Sequence, residues 1–230
     1  MKKLSFALLF YLSTAMAWAA SEAAKESYSS IAAGILPAVV TIIVYDYNGN
    51  LKHIGSGFFY NKNGDIVSNS HVLTPNTRAE IKLMSGEKYP VGAIIERNET
   101  LDMVKARTHL PKDSPFLNIA AQPPSVGDKI IVAGSPMGLE QTLTEGIVSA
   151  WRKLPGKGDV LQISAPVSPG SSGGPVLNMA GEVVGIASFQ IVQGQNLNFA
   201  VPAGLIFAAK KPGARKLNFH KDAKGVLIIE

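Results

Sequence analysis

Short runs of β-branched and aromatic residues, separated by Gly, Pro, Asn and Asp, follow one another along most of the chain. The first run covers 39–45, and such residues favour extended strands. The runs at 57–60 and 65–68 flank Asn61-Lys62-Asn63-Gly64, where Asn-Gly tolerates the positive φ angles of a hairpin turn. Further runs follow at 79–83, 91–95, 101–104, 129–133, 146–150, 160–164, 175–177, 183–189 and 198–201. Many short strands without alternating helices indicate an all-β barrel or sandwich.

The segments around these strands have a different pattern. Residues 20–36 begin with small and polar side chains and favour a short helix that ends before Pro37. Residues 203–210 favour a closing helix, which begins a basic C-terminal tail at 203–230. The Pro-rich stretch near 121–126 favours a junction between two lobes of the domain at 37–202.

The N-terminus has the features of an export signal. Met1-Lys2-Lys3 is basic, the apolar run 4–19 follows, and Ala17-Trp18-Ala19 closes it with small residues. This order predicts a secretory signal peptide at 1–19. The alternative is an uncleaved membrane anchor, but the run has about 16 residues and roughly 20 are needed to span a bilayer. We therefore expect a soluble mature protein without a transmembrane segment.

Composition narrows the possible chemistry. The chain has no cysteine, which excludes a cysteine nucleophile and thiolate metal sites; we expect no metal and no cofactor. The net charge is +5, but 203–230 hold six Lys/Arg against two acidic residues, whereas 20–202 hold 14 basic and 15 acidic residues. The near-neutral body argues against nucleic-acid binding. The basic tail is interpreted as a solvated surface, with an acidic partner or a membrane surface as the alternative.

Ser172 is the first candidate nucleophile, in the run Pro-Gly-Ser-Ser-Gly-Gly-Pro at 169–175. Glycines let the backbone approach a substrate closely, and such a loop can direct the amides of Gly170 and Ser172 at one spot as an oxyanion hole. A flexible linker is the alternative, but strand-like runs flank this segment on both sides. From the residues alone, Ser168 and Ser171 remain competing hydroxyls.

His71 and Asp102 are the candidate partners of the serine. His71 lies where a strand ends and a loop begins, a frequent place for catalytic groups, although a single histidine there is more often structural. Asp102 lies inside an apolar run, where a carboxylate needs a partner such as an imidazolium. Pairing with Lys105 or Arg107 is an equal alternative for Asp102.

The order His71, Asp102, Ser172, with gaps of 31 and 70 residues, supports a base, its orienting acid and a nucleophile. The other histidines lie in a turn, a polar segment and the tail: His53, His109 and His220.

The run around Ser172 also satisfies the G-x-S-x-G elbow of α/β-hydrolases. That fold needs an acid and then a histidine after the serine, whereas His220 precedes Asp222, so it is rejected.

Nine motifs together resemble the protease domain of the HtrA/Deg family of trypsin-like serine proteases, over about 31–202. They lie at 36–40, 55–58, 66–72, 101–104, 126–128, 134–139, 146–150, 169–175 and 198–202. The resemblance implies a chymotrypsin-like double β-barrel with short N-terminal and C-terminal helices.

The resemblance also implies roles for single residues. It assigns Ser172 as nucleophile, with Ser171 as the variable residue of the motif, His71 as base and Asp102 as orienting acid. The implied oxyanion hole consists of Gly170, Ser171 and Ser172, and the implied specificity pocket of Pro166, Ile186, Ala187 and Ser188. Because position 166 is uncharged, we expect a small or apolar residue before the cleaved bond, and not Lys or Arg.

The sequence departs from the family pattern at several places. Serine stands at 171 and 135 where the family commonly has Asn, and Ser-Ala-Pro-Val-Ser at 164–168 replaces a common Asp-Ala-Ala-Ile-Asn. The 28 residues after Pro202 are too few for a PDZ domain, so recruitment of substrates through one is not expected.

The expected function is that of an exported serine endopeptidase, periplasmic or secreted, which hydrolyses unfolded or extended polypeptides in protein quality control. Homotrimers, common in the family, are possible. The alternative is a weakly active or inactive scaffold that binds peptides or misfolded proteins, because the altered segments near 135 and 164–168 would then disorder the oxyanion loop.

Overall fold

The computed structural model describes residues 28–46, 48–75, 77–110, 113–135, 141–190, 197–207, 219–221 and 227–229. The predicted signal peptide at 1–19 and most of the basic tail lie outside these residues. Within them, no helix has the length and apolar character needed to cross a membrane.

The first six strands close into an antiparallel barrel, in the order β1-β2-β3-β6-β5-β4. They are β1 (Val39–Tyr45), β2 (Leu51–Phe59), β3 (Ile66–Ser68), β4 (Arg78–Lys82), β5 (Lys88–Asn98) and β6 (Met103–Thr108). Val40, Ile42 and Val44 of β1 fill the barrel, whereas Val39 packs on its other side. Because successive side chains alternate between faces, burial of both faces explains why β1 reads as a continuous apolar run.

The next six strands form a second closed barrel, in the order β10-β11-β12-β9-β8-β7. They are β7 (Lys129–Gly134), β8 (Thr142–Leu154), β9 (Gly158–Ile163), β10 (Pro175–Leu177), β11 (Val183–Gln190) and β12 (Asn198–Pro202). Its interior is lined by small and branched side chains, among them Val132, Val148, Leu161 and Ile163.

A third apolar cluster joins the two barrels. Phe58 and Val67 of the first barrel meet Leu177 and Ile186 of the second, and all four are fully buried. The chain crosses here: the Leu117 amide donates to Phe59 in the first barrel, and the Asn118 carbonyl accepts from Val183 in the second. Residues 117 and 118 thus contact one barrel each, and the Pro-rich stretch near 121–126 follows before β7 begins at Lys129.

Short helices flank the barrels. Helix α1 includes 28–35 and continues into a 3-10 turn at Leu36–Ala38, and α2 covers Ala203–Phe207. A separate two-stranded sheet consists of β13 (Phe219–Lys221) and β14 (Leu227–Ile229).

The predicted all-β double barrel with short terminal helices is confirmed. The strands at Val39–Tyr45 and Pro175–Leu177 have the predicted bounds, whereas β5 and β8 are longer because their polar residues also pair in the barrels. Strand β13 was not predicted, since its residues read as polar tail. In the predicted hairpin, Gly64 has a φ of 77°, and the Asn61 side-chain oxygen accepts from the Asn63 and Asp65 amides.

Truncation of Leu177 tests the cluster between the barrels. We expect Leu177→Ala to lower the free energy of unfolding by about 2–5 kcal/mol, because it opens a cavity in a fully buried site. Urea denaturation measures the loss. Val126→Ala is the control: Val126 is 60% exposed, so its truncation should change stability by less than about 0.5 kcal/mol. Equal effects of the two variants would contradict this role of the cluster.

Candidate active site

The three candidate residues meet where the barrels face each other. His71 follows β3 and Asp102 precedes β6, so both belong to the first barrel. Ser172 lies in the loop between β9 and β10 of the second barrel. Strands β3 and β6 are hydrogen-bonded neighbours, which explains why two residues 31 positions apart lie side by side.

His71 and Asp102 form a close pair. The His71 Nδ1 atom is 2.8 Å from Oδ2 and 3.0 Å from Oδ1 of Asp102, and the His71 amide donates to Oδ1 at 3.1 Å. The alternative partners are engaged elsewhere: Lys105 pairs with Glu96 at 2.9 Å, and Arg107 lies 3.6 Å from Asp65. The structure thus decides between the two interpretations of Asp102 in favour of histidine.

The environment keeps Asp102 ionised. Burial raises the pKa of this carboxyl, but the hydrogen bond and charge of His71, the Ser188 hydroxyl and the His71 amide together lower it, and the net pKa is below its usual value. An ionised Asp102 accepts a hydrogen bond from Nδ1–H of a neutral His71. The other ring nitrogen, Nε2, then has a free lone pair and can accept a proton. The imidazole is half exposed and Asp102 is nearly buried, so the ring presents its outer edge to a substrate.

Ser188 links the pair to the serine. Its hydroxyl donates to Asp102 Oδ2 at 2.8 Å, and its carbonyl accepts from the Ser172 hydroxyl at 3.0 Å. Among the described residues, Ser172 therefore has its hydrogen bond with Ser188 and not with His71. The resemblance placed Ser188 in the specificity pocket, whereas its hydroxyl orients the carboxylate.

The loop that carries His71 is held by side chains that the sequence analysis did not identify. Asn69 donates from Nδ2 to the Asp102 carbonyl at 2.8 Å. Arg97 donates from Nη1 to the carbonyl and hydroxyl of Ser70, at 3.1 and 2.8 Å, and from Nη2 to the Leu73 carbonyl. The available signal was that Ser68, Asn69 and Ser70 are three consecutive polar residues directly after the apolar run that ends at Val67. All three are buried.

The nucleophile loop needs glycine for two reasons. Gly170 and Gly173 have φ angles of 98° and 89°, which L residues rarely adopt. A Cβ at Gly173 would also lie 2.2 Å from both the Ser56 carbonyl oxygen and the Ser68 hydroxyl. The loop consequently packs directly on the backbone of the first barrel.

Two of the three predicted oxyanion amides have no acceptor within the described residues. The Ser171 amide donates to the Ser168 carbonyl at 2.9 Å, so it is engaged in a turn and does not belong to the candidate oxyanion hole. The amides of Gly170 and Ser172 are the remaining pair.

The other residues of the predicted pocket are placed differently from Ser188. Pro166 is exposed, and its carbonyl accepts from the Thr144 hydroxyl at 2.9 Å. The side chains of Ile186 and Ala187 are fully buried in apolar clusters, so only their backbone faces the loop. The Gly173 amide donates to the Ala187 carbonyl at 2.8 Å, for example.

The remaining histidines belong to other parts of the described chain. His53 Nε2 is 2.8 Å from the Val72 carbonyl, and His109 lies beside Gly92 in β5. His220 belongs to β13 of the two-stranded sheet.

Two closed barrels with a His–Asp pair on one and a serine loop on the other define a protein of the chymotrypsin-like class. The family model of the trypsin-like peptidase domain matches residues 55–186, and the chain belongs to this family. The predicted resemblance to HtrA/Deg proteases is also confirmed. The chain is 33% identical to "Serine protease HTRA1A" of Danio rerio, over 75% of this chain and 38% of that protein.

Two further similarities agree with this. A "Probable periplasmic serine endoprotease DegP-like" of Chlamydia pneumoniae is 33% identical, over 65% of this chain and 32% of that protein. The crystal structure of the serine endoprotease from Yersinia pestis superposes with a TM-score of 0.70 at 26% identity, over 79% of this chain and 64% of that one. The chain thus spans between about a third and two fifths of the length of these curated relatives.

Substitution of Gly173 tests the close approach of the loop. We expect Gly173→Ala to cost about 1–3 kcal/mol more than Gly156→Ala, because its Cβ meets backbone and must displace it. Gly156 is a matched control, since its φ is 73° but nothing lies within 4 Å of its Cβ. Thermal denaturation of both variants measures the difference, and equal losses would attribute the whole effect to the backbone angle.

Proposed function

We propose that this protein is an exported serine endopeptidase that acts through an acyl-enzyme at Ser172, with His71 as base and Asp102 as the group that orients it. The observation that supports this most directly is the pair of contacts of Ser188, which brings the Ser172 hydroxyl and the Asp102 carboxylate to the same residue. Acyl transfer needs a nucleophile, a base and an oriented acid in such proximity.

The reaction begins when the Ser172 hydroxyl turns from the Ser188 carbonyl toward Nε2 of His71. Nε2 takes the proton while Oγ attacks the carbonyl carbon of the scissile bond, and the amides of Gly170 and Ser172 bind the oxyanion. His71 then gives this proton to the leaving amine as the C–N bond breaks. Water, deprotonated by the same Nε2, attacks the ester, and the proton returns to Ser172 Oγ with release of the acid.

The sheet beside Ser172 suits an extended substrate. Strand β11 pairs with β12 as far as Gln190, but with β10 only as far as Ile186. Within the described residues, no strand pairs with the other edge of 188–190, where the Ser188 carbonyl accepts from the Ser172 hydroxyl. An extended polypeptide can add there as a strand next to the nucleophile loop. Only a polypeptide with an extended backbone can pair in this way. We therefore propose unfolded or extended polypeptides as the substrates, as expected of a protease in protein quality control.

Export is part of the proposal. The N-terminal pattern at 1–19 predicts a signal peptide, and a relative is named as periplasmic. A periplasmic or secreted location follows, with polypeptides as substrates. Assembly into homotrimers and contact of the basic tail with an acidic partner or a membrane surface are further parts of this proposal.

A peptide-binding scaffold without catalysis is the second candidate. It is favoured by one observation, the donation of the Ser172 hydroxyl to Ser188 in place of His71. Hydrogen bonds of catalytic groups often form only when substrate is bound, so we prefer the enzyme.

Replacement of the nucleophile separates these two candidates. We expect Ser172→Ala to lose cleavage of casein by at least about 10⁴-fold and to lose labelling by a fluorophosphonate probe. Ser168→Ala, which removes an exposed hydroxyl of the same loop, should keep both. A wild-type protein that takes no label at any pH or temperature would support the scaffold.

The pH dependence tests the base. The pKa of Asp102 is lowered, so its charge persists to below the usual value of about 3.9. The stability that this charge contributes is complete above that value and is lost as the pH falls through the lowered pKa. A protonated imidazole cannot accept the Ser172 proton, so we expect kcat/KM to fall as the solution is made acidic. A profile that stays flat between about pH 8 and pH 5 would contradict the assignment of His71 as the base.

A further inference from the structure

One peptide unit of the nucleophile loop has no hydrogen-bond partner in the part of the chain that the structure describes. Within the described residues, neither the carbonyl of Pro169 nor the amide of Gly170 has a partner, whereas the Ser171 amide bonds to Ser168 and the Ser171 carbonyl accepts from Gly174 at 3.0 Å. The N–H and C=O of a trans peptide point in opposite directions. The rotation of the 169–170 unit therefore decides whether the Gly170 amide points to the same spot as the Ser172 amide.

The unit that follows is held from the other barrel. Ser56, in β2, donates from its hydroxyl to the Gly170 carbonyl at 2.6 Å and from its amide to the Ser172 carbonyl at 2.8 Å. One residue thus holds two alternate carbonyls of the loop. The 169–170 unit rotates about ψ of Pro169 and φ of Gly170, so holding the Gly170 carbonyl limits one of the two rotations that set the direction of the Gly170 amide.

The direction of the Ser56 proton is unambiguous. The Ser135 amide donates to Ser56 Oγ at 2.8 Å, and the Gly170 oxygen can only accept, so the single hydroxyl proton goes to Gly170. Ser135 is itself held, since its hydroxyl accepts from Thr41 at 2.6 Å.

These hydroxyls lie in a closely packed and buried place. Ser56 and Ser135 are fully buried. A Cβ at Gly134 would be 3.0 Å from both Ser56 Oγ and Ser171 Cα. The hydroxyl of Ser56 therefore lies where β2, β7 and the nucleophile loop pack against one another.

We propose that Ser56 is a positioning residue for the acyl transfer, and that it acts through the Gly170 carbonyl. It orients the 169–170 unit so that the Gly170 amide is available to the oxyanion before a substrate binds. Ser135, which stands where the HtrA/Deg pattern commonly has Asn, directs the Ser56 hydroxyl through its amide. This inference rests on the proposed function.

The test compares Ser56→Ala with Thr108→Val. Both remove a buried hydroxyl that donates to a glycine carbonyl, but Thr108 donates to Gly64, at 2.7 Å, away from the site. For Ser56→Ala we expect kcat to fall about 10- to 100-fold with KM changed by less than about 2-fold, because a misplaced amide weakens only the transition state. The affinity for a peptide boronic acid, whose adduct with serine is tetrahedral, should fall by a similar factor. Thr108→Val should leave both near the wild-type values.

Unchanged kcat and boronate affinity in Ser56→Ala would overturn the inference, and so would equal losses in the two variants. If the wild type neither cleaves polypeptides nor binds the boronic acid, the proposed function fails, and amide exchange then tests the position of the loop by itself. Hydrogen exchange of the Ser171 amide should be roughly 10-fold faster in Ser56→Ala than in the wild type. Unchanged exchange would exclude the contact as the one that orders the loop.

Discussion

The hydrogen bond from the Ser188 hydroxyl to Asp102 connects the two barrels at the place where all candidate catalytic groups lie. Ser188 belongs to β11 of the second barrel, and Asp102 to the turn before β6 of the first. The carbonyl of the same residue accepts a hydrogen bond from the Ser172 hydroxyl, so the acid and the nucleophile both contact Ser188. The strands that carry these groups are held together by an apolar cluster, to which Ile186 of β11 and Met103 of β6 both contribute.

The site tolerates a nearly buried charge because its partners are already arranged. Asp102 accepts from the ring and the amide of His71 and from Ser188, which compensates for the loss of water around the carboxylate. Its backbone is at a φ of 50°, an uncommon angle for a residue other than glycine. The Asn69 side chain holds the carbonyl of this residue, so the surrounding contacts maintain a conformation that the local sequence does not favour.

Sequence analysis singled out His71 and Asp102 because they end or interrupt apolar runs. It singled out Ser172 because a glycine-rich run lies between two strand-like segments, and the resemblance chose it over Ser168 and Ser171. Most strands were predicted from their β-branched and aromatic residues. It was less successful with polar residues inside these runs. Ser188 was assigned to the specificity pocket, Ser171 to the oxyanion hole, and Asp102 was left equally between histidine and the nearby Lys105 or Arg107. The roles of Ser56 and Arg97 were not recognised, since a serine in a strand and an arginine near its end have no distinctive local pattern.

The sequence by itself determined the strands and the turns, because these depend on neighbouring residues and on the pleat. It also placed glycine at 170 and 173, but the close approach that requires Gly173 is a contact with the other barrel. Only the tertiary structure decided which hydroxyl meets which oxygen. Ser56 and Gly170 are 114 positions apart, and Ser188 and Asp102 are 86 apart. The alternation of side chains along a strand predicts which face of the sheet a residue occupies. Which donor then meets which acceptor depends on how the two barrels pack together.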